Sequence, residues 1–88
     1  MEKYLTANQA YELAANYREY KFLEAIEATL KTIKEQARKG SFSTGVYDPS
    51  KNTFIDRDSY IQKIKDLGYI YDGTSGDYIF WRWDKRKD

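Results

Sequence analysis

The sequence contains neither cysteine nor histidine, and it has a single proline. It therefore cannot form disulfides, Cys/His zinc sites or thiol nucleophiles, and it lacks imidazole for acid–base catalysis. No apolar run approaches the roughly 20 residues of a membrane span, and no signal-peptide core follows Met1. We therefore expect no membrane association and a cytoplasmic location.

An excess of charge of one sign is also missing. The 15 Lys and Arg residues against 14 Asp and Glu residues leave a net charge of +1. This balance argues against a dedicated DNA-binding domain and against an acidic DNA mimic. Aromatic residues are abundant instead, at 17% of the 88 residues, and they serve both small cores and partner surfaces. The length predicts one domain over residues 1–83, followed by a charged tail over residues 84–88.

Two apolar stripes at helical spacing occupy the first 40 residues. Thr6 and Gln9 form a predicted capping box, which begins a helix over about residues 7–18. A second stripe, from Phe22 to Ala37, predicts a helix that ends at Gly40. At about 100° per residue, the two stripes lie roughly half a turn apart. Either the chain breaks near residues 16–20, or one long helix lies between two partners; we predict the break.

The remaining residues change to a β-type pattern with one further helix. Residues 41–47 alternate as a short strand, residues 48–52 form a loop, and a third helix ends at Gly68. Residues 69–71 and 78–83 then flank a loop over residues 72–77, which is typical of a β-hairpin. The predicted fold is α+β, with a small, mainly antiparallel sheet packed on the helices.

Catalytic equipment is sparse. The aspartates occur mainly at predicted caps and turns, where backbone hydrogen bonding explains them. The segment from Asp72 to Asp77 lacks the ligand spacing of a calcium loop, and Gly73–Gly76 lacks the lysine of a phosphate-binding loop. No serine has a histidine or a Ser-x-x-Lys arrangement to activate it. We predict a protein that is not an enzyme and that uses no cofactor and no metal.

The last strand carries apolar side chains on both faces. Because side chains alternate along a strand, Ile79, Trp81 and Trp83 share one face, while Tyr78, Phe80 and Arg82 share the other. The helices of so short a chain can cover one face. The other is then predicted to bind a partner or ligand through Tyr78, Phe80 and Arg82, joined by the cross-strand residues Tyr69 and Tyr71. In the alternative, the first helix folds over this second face.

Two basic groups leave further alternatives open. Lys31, Lys34 and Arg38 share one helix face, which is either a solvated surface or, beside Tyr78 and Phe80, a pocket for a phosphate. The element order also resembles a winged helix superficially. In addition, Arg82 and the basic residues 85–87, close to Trp81 and Trp83, suggest a platform for single-stranded nucleic acid. A nucleic-acid-binding regulator is therefore the alternative function.

Four segments carry a resemblance that spans nearly the whole chain: YLTANQA at residues 4–10, QARKGSFS at 36–43, LGY at 67–69 and YIFWRW at 78–83. They resemble small accessory proteins of tailed bacteriophages. The loop over residues 48–54 and the second tryptophan depart from that pattern. The resemblance implies expression inside an infected host and action by binding, in host takeover or anti-defence. We predict a homo-oligomeric binding protein that either inhibits a host protein or sequesters a nucleotide immune signal.

Overall fold

The computed structural model describes residues 4–51 and 53–84. It contains the helix α1 (Ala7–Arg38), the strand β1 (Ser43–Tyr47), the helix α2 (Arg57–Asp66), and the strands β2 (Ile70–Ser75) and β3 (Tyr78–Arg82). The predicted α+β class is confirmed. Residues 85–88 of the predicted tail lie outside the described residues.

The first helix is continuous over 32 residues, so the predicted break near residues 16–20 is wrong. The capping box is confirmed, because Thr6 Oγ1 accepts from the Gln9 amide at 3.1 Å and Gln9 Oε1 accepts from the Thr6 amide at 3.0 Å. No glycine or proline lies between the two stripes, and residues of ordinary helix propensity each cost at most about 0.7 kcal/mol. One helix therefore carries apolar stripes on opposite sides.

The sheet has the order β1-β3-β2, and both strand pairs are antiparallel. The hairpin turn is shorter than predicted, because Ser75 pairs with Tyr78 and only Gly76 and Asp77 lie between them. The β2–β3 register is irregular between Tyr71 and Thr74. The described residues contain two helices separated by a strand, and this order is not that of the three-helix winged-helix fold.

The core lies between one face of the sheet and the two helices. Ile79 and Trp81 of β3 are fully buried there, together with Tyr60 of α2. Ile26 and Ile33 complete the α1 side of the same cluster. Burying each such large apolar side chain stabilises the fold by about 1.5–3 kcal/mol. Both helices therefore pack on the same face of the sheet, which we call the inner face.

Hydrogen bonds fix α2 against this core. Tyr60 forms a buried hydrogen bond with Thr29 of α1, so a polar pair joins the two helices. Asp56 caps α2 by accepting from the Ser59 hydroxyl and amide, and these bonds hold the pKa of the Asp56 carboxyl below its usual value. Asp48 is buried, accepts from the Ser50 amide at 2.9 Å and lies 3.4 Å from Arg57. The expectation that the aspartates occur mainly at caps and turns holds for Asp56 and Asp48.

The N-terminal part of α1 projects from this globular body. Every side chain of residues 7–20, which we call the arm, is exposed, whereas the later turns bury Ile26, Thr29 and Ile33. A 32-residue helix is about 48 Å long, and the molecule measures 58 × 26 × 23 Å. The arm meets the loop before α2 at Phe54, whose ring lies 5.9 Å from that of Tyr17 and under the guanidinium of Arg18.

Candidate binding surface

The side of the sheet that faces away from the helices displays a row of large side chains. The predicted alternation of β3 is confirmed: Ile79 and Trp81 are fully buried, while Tyr78 is 50% and Phe80 37% exposed. The helices cover the inner face alone, so the alternative in which the first helix covers the second face is wrong. We call the exposed side the outer face; its residues are Ser43, Gly45, Tyr47, Ile70, Ser75, Tyr78, Phe80 and Arg82.

Tyr47 belongs to the outer face and was missed by the sequence prediction. It lies opposite Tyr78 in the β1–β3 register, and the two rings meet edge to face at 6.1 Å and 89°. Tyr47 is exposed, whereas its neighbour Val46 is buried. The signal was present in the sequence, because the alternation over residues 41–47 fixes which side chains share a face. What the sequence could not supply was the pairing that sets Tyr47 beside Tyr78.

Phe80 lies against the backbone of the neighbouring strand. Gly45 is its cross-strand partner, and a Cβ placed on Gly45 would come within 2.6 Å of Phe80 Cε1. Real Cβ atoms do not approach this closely, so any larger residue at position 45 would push the ring away. The glycine therefore leaves the space in which the Phe80 ring lies close over β1.

The prediction that Tyr69 and Tyr71 join the outer face is wrong. Tyr71 lies opposite Trp81 in the register, with ring centroids 5.7 Å apart, and Tyr69 contacts Trp83 at 6.2 Å. Directly opposed residues share a face, so these tyrosines extend the inner side. Ile70 lies opposite Arg82 and takes their place on the outer face. Positions 69 and 71 share a face, and the prediction was wrong because it had no register to show that this face is the inner one.

Arg82 lies at one end of the outer face among carboxylates. Its guanidinium is 4.0 Å from Asp72 and 3.5 Å from Asp84. These partners leave the aromatic row without a net positive charge at this end. Trp81 is fully buried, so it cannot stack on a base, and the predicted platform of Arg82 with Trp81 is wrong. The basic residues 85–87 of that hypothesis lie outside the described residues.

The predicted basic group does not meet the outer face. Lys31, Lys34 and Arg38 belong to α1, which packs on the inner side of the sheet. Tyr78 and Phe80 project from the other side, so the hypothesis of a phosphate pocket formed by both groups is wrong. Lys31 and Arg38 are exposed to solvent.

Lys34 and Tyr69, by contrast, do come together. They line one cleft of about 530 Å³, whose residues are Leu30, Ile33, Lys34, Ala37, Leu67, Tyr69 and Trp83. The walls are almost entirely apolar, and Lys34 is the only charged residue among them. One cation beside an apolar cleft matches a multiply charged nucleotide poorly, because it neutralises only part of the charge that the phosphates carry.

Over residues 4–51 and 53–84, no three carboxylates lie close enough to hold a metal ion. Within the same residues, neither helix combines the length and the apolar composition needed to cross a bilayer. Comparison with known proteins finds no family model that matches the chain, and no curated protein or solved structure with significant similarity. A function is therefore inferred from the geometry of the outer face.

Proposed function

We propose that this chain is a non-enzymatic, phage-type binding protein that acts in host takeover or anti-defence by inhibiting a host protein. The outer face is the surface that makes the contact. A single observation carries the proposal: the central strand buries one face in the core and presents Tyr78 and Phe80 to solvent on the other. A contiguous exposed apolar surface on a small domain is typical of an interaction site.

The composition of the outer face supports a protein partner. Tyrosine, phenylalanine and arginine are enriched in the buried centres of protein interfaces. Tyr47, Tyr78 and Phe80 supply the rings, Ile70 supplies an aliphatic side chain, and Arg82 lies at the end of the row. Such residues anchor a complex when they fill pockets on the partner.

The outer face is also preorganised. Phe80 lies over Gly45, and Tyr47 meets Tyr78 edge to face, so these rings lose little further freedom on binding. Immobilising a mobile side chain costs about 0.5–1.5 kcal/mol on association, and rings that are already ordered avoid part of that cost. A rigid row of rings on a sheet is thus suited to a specific contact.

The charges favour a protein over a nucleic acid. Nucleic-acid binding depends on cations that neutralise phosphates, and Arg82 is already close to Asp72 and Asp84. Asp77 follows in the hairpin turn, where Lys51 lies 3.5 Å from it. A partner with an apolar patch fits this surface better than a polyanion. The phage setting of the proposal rests on the sequence resemblance described above.

The proposal is tested by affinity capture from phage-host lysate with four forms of the chain: wild type, Tyr78→Ala, Phe80→Ala and the control Leu67→Ala. Leu67 is an exposed apolar residue at the end of α2, away from the outer face. We expect one host protein to be held by wild type and Leu67→Ala and to be lost with both outer-face variants.

Binding of the purified host protein should then weaken at least tenfold with Phe80→Ala, which corresponds to about 1.4 kcal/mol. Equal capture by all four forms, or capture of no host protein by any of them, would overturn the proposal. A salt-sensitive mobility shift of DNA or RNA would instead support the nucleic-acid alternative.

A further inference from the structure

The strand β1 has a free edge. The sheet order is β1-β3-β2, so β1 pairs with β3 on one side only. Just before β1, Phe42 accepts a hydrogen bond from the Trp83 amide, and just after it Asp48 donates to the turn that precedes β3. Hydrogen-bonded positions recur at every second residue of an antiparallel strand, so residues 44 and 46 also bond to β3. The amides and carbonyls of residues 43, 45 and 47 therefore point away from β3, along the free edge.

These outward groups are available for pairing. In the part of the chain that the structure describes, no hydrogen bond reaches the amide of Ser43, Gly45 or Tyr47. The Gly45 carbonyl has only a long contact, 3.4 Å, from the neighbouring Thr44 hydroxyl. Ser43 and Tyr47 are exposed and Gly45 is partly exposed. The edge thus offers amide donors and carbonyl acceptors at a repeat of about 6.8 Å along the strand.

The two edges of the sheet differ in how they are protected. β2 carries the charged Asp72, a positive φ at Gly73 and an irregular register between Tyr71 and Thr74. Charges and such irregularities keep other strands from pairing with an edge. β1 has no charged residue, no proline and an unbroken register over its five residues. β1 is therefore the edge to which a further strand can be added.

A depression lies between β1 and α1 at this edge. It measures about 220 Å³; its α1 wall is formed by Ala25, Ala28, Thr29 and Thr32, and its other wall by the end of β1 and Pro49. No residue of β3 or α2 lines it, so it opens beside the free edge and not into the core. Its walls carry no charge and the α1 side chains are short, so an uncharged side chain can enter it.

We propose that an extended segment of the host protein adds to the sheet as a further strand along β1. The host protein as the source of the segment rests on the proposed function, whereas the mode of binding rests on the free edge and the depression. Strand addition obtains its affinity from main-chain hydrogen bonds and its specificity from pockets for alternate side chains. The edge of β1 supplies the first, and the depression beside α1 supplies the second.

The outer face contributes to the same contact. Side chains on the outer side of the added strand lie next to Gly45 and Tyr47. The Phe80 ring lies over Gly45, and Tyr47 meets Tyr78 edge to face. Alternate side chains of the segment therefore contact the rings on one side of the sheet and enter the depression on the other. The segment that fits is extended, and it is apolar and uncharged at these positions.

Sterics favour a strand of another protein over a second copy of this chain. α1 approaches β1 more closely than it approaches either other strand, so the helix lies over this edge. Two copies paired through β1 would place these strands about 4.8 Å apart, whereas packed helices need about 8–10 Å between their axes. The two α1 helices would overlap. A nucleic acid lacks the regular amide donors and carbonyl acceptors that pair with the edge.

A random display library of twelve-residue peptides, selected on the immobilised full chain, tests the mode of binding. The most enriched peptide is synthesised with a fluorescent label, and its Kd is measured by anisotropy. Ala28→Glu places a carboxylate in the depression and should weaken binding by about tenfold or more. Ala37→Glu makes the same change half a turn away on α1 and should bind like wild type. Enrichment of no peptide, or equal binding by the two variants, would overturn strand addition at β1.

Methylation of the peptide's own amides tests the pairing without altering the protein. Successive amides of a strand point to opposite sides, so every second amide of the bound peptide faces β1. A set of peptides with one N-methyl group each should therefore lose affinity at alternate positions and keep it at the positions between. A loss without this alternation would contradict a paired strand.

Amide exchange of the chain locates the added strand. In the free protein, the Val46 amide should exchange slowly and the Gly45 and Tyr47 amides rapidly, because only the first is bonded to β3. Saturation with the peptide should slow exchange at Gly45 and Tyr47 by about tenfold or more. Unchanged exchange at both positions would overturn the assignment to β1. Slowing that depends on the concentration of the chain alone would indicate a second copy at β1 and would also overturn the proposal.

Amide exchange in the complex with the captured host protein separates this proposal from the proposed function. If the host protein is held through Tyr78 and Phe80 while Gly45 and Tyr47 exchange as rapidly as in the free chain, strand addition is overturned and the proposed function stands. If no host protein is captured, the proposed function falls and, with it, the host protein as the source of the segment. The peptide measurements still decide whether β1 accepts a strand.

Discussion

The two halves of α1 differ in what surrounds them, although the backbone is the same continuous helix. The later turns bury Ile26, Thr29 and Ile33 against the sheet and α2, while every side chain of the arm is exposed. Both halves have an apolar stripe at helical spacing. Apolar residues at helical spacing therefore predict that a helix has an apolar face. They do not predict whether the same chain covers that face.

The difference also separates two sources of helix stability. The buried half is held by tertiary contacts, whereas the arm depends on its cap, on intrinsic propensity and on whatever covers its stripe. Short helices without packing are marginal in water. Changes in the globular body are therefore expected to alter global stability strongly, and changes in the arm are expected to alter local fraying.

The largest effect is expected from Trp81→Ala. Trp81 is fully buried and contacts the rings of Tyr60 and Tyr71. Removal of a buried aromatic side chain costs about 3–5 kcal/mol, and we expect the free energy of unfolding in urea to fall by this amount. Leu13→Ala in the arm is the matched comparison and should change it by less than about 0.5 kcal/mol. Similar losses for the two variants would mean that the arm is part of the same cooperative unit.

A smaller effect is expected from Tyr60→Phe, which breaks the buried hydrogen bond between α2 and Thr29. Leaving one partner of such a bond unsatisfied costs about 1–3 kcal/mol. Burial raises the pKa of the Tyr60 hydroxyl above its ordinary value of 10.0, and the hydrogen bond with Thr29 opposes the shift.

The raised pKa of Tyr60 determines how the free energy of unfolding depends on pH. The unfolded chain loses the Tyr60 proton near pH 10, while the folded protein retains it, so wild type loses stability as the pH rises above about 10. The phenylalanine variant lacks this contribution. Urea unfolding of both proteins between pH 8 and 11 measures the difference between their free energies of unfolding. This difference should be constant from pH 8 to about pH 10 and should narrow above about pH 10. A difference that widens would contradict the burial of a neutral Tyr60.

The local features of the fold could be predicted from the sequence, whereas the continuity of α1 and the facing of Tyr69 and Tyr71 could not. The capping box at Thr6, the alternation of β3 and the placement of aspartates at caps and turns follow from local rules, because each depends on residues within a few positions of one another. The break in α1 was predicted from the phase of two stripes, and it failed because no local signal ends the helix. Tyr69 and Tyr71 were assigned to the wrong face because register depends on pairing between distant strands.

Gly45→Ala is expected to have a modest effect on stability, on the order of 1 kcal/mol, because the Phe80 ring is partly exposed and can move away from the new Cβ. Its displacement should disorder the outer face. In wild type, the ring should shift the Gly45 Hα proton resonances upfield, and Phe80→Ala should remove that shift. Ser43→Ala, on the same strand, should leave stability unchanged. If Gly45→Ala were as damaging as Trp81→Ala, Phe80 would belong to the core and not to the exposed surface.

The smallest global effect is expected from Thr6→Ala, which removes the Oγ1 acceptor of the Gln9 amide and keeps the bond from the backbone amide of residue 6 to Gln9 Oε1. Loss of an N-cap residue costs a helix about 0.5–2 kcal/mol. Because every side chain in the first turns of α1 is exposed, the protein should lose little of this energy on global unfolding. The loss should appear instead as faster amide exchange in the first turns of α1. The full loss on global unfolding, with unchanged amide exchange in the first turns of α1, would show that the arm unfolds together with the body.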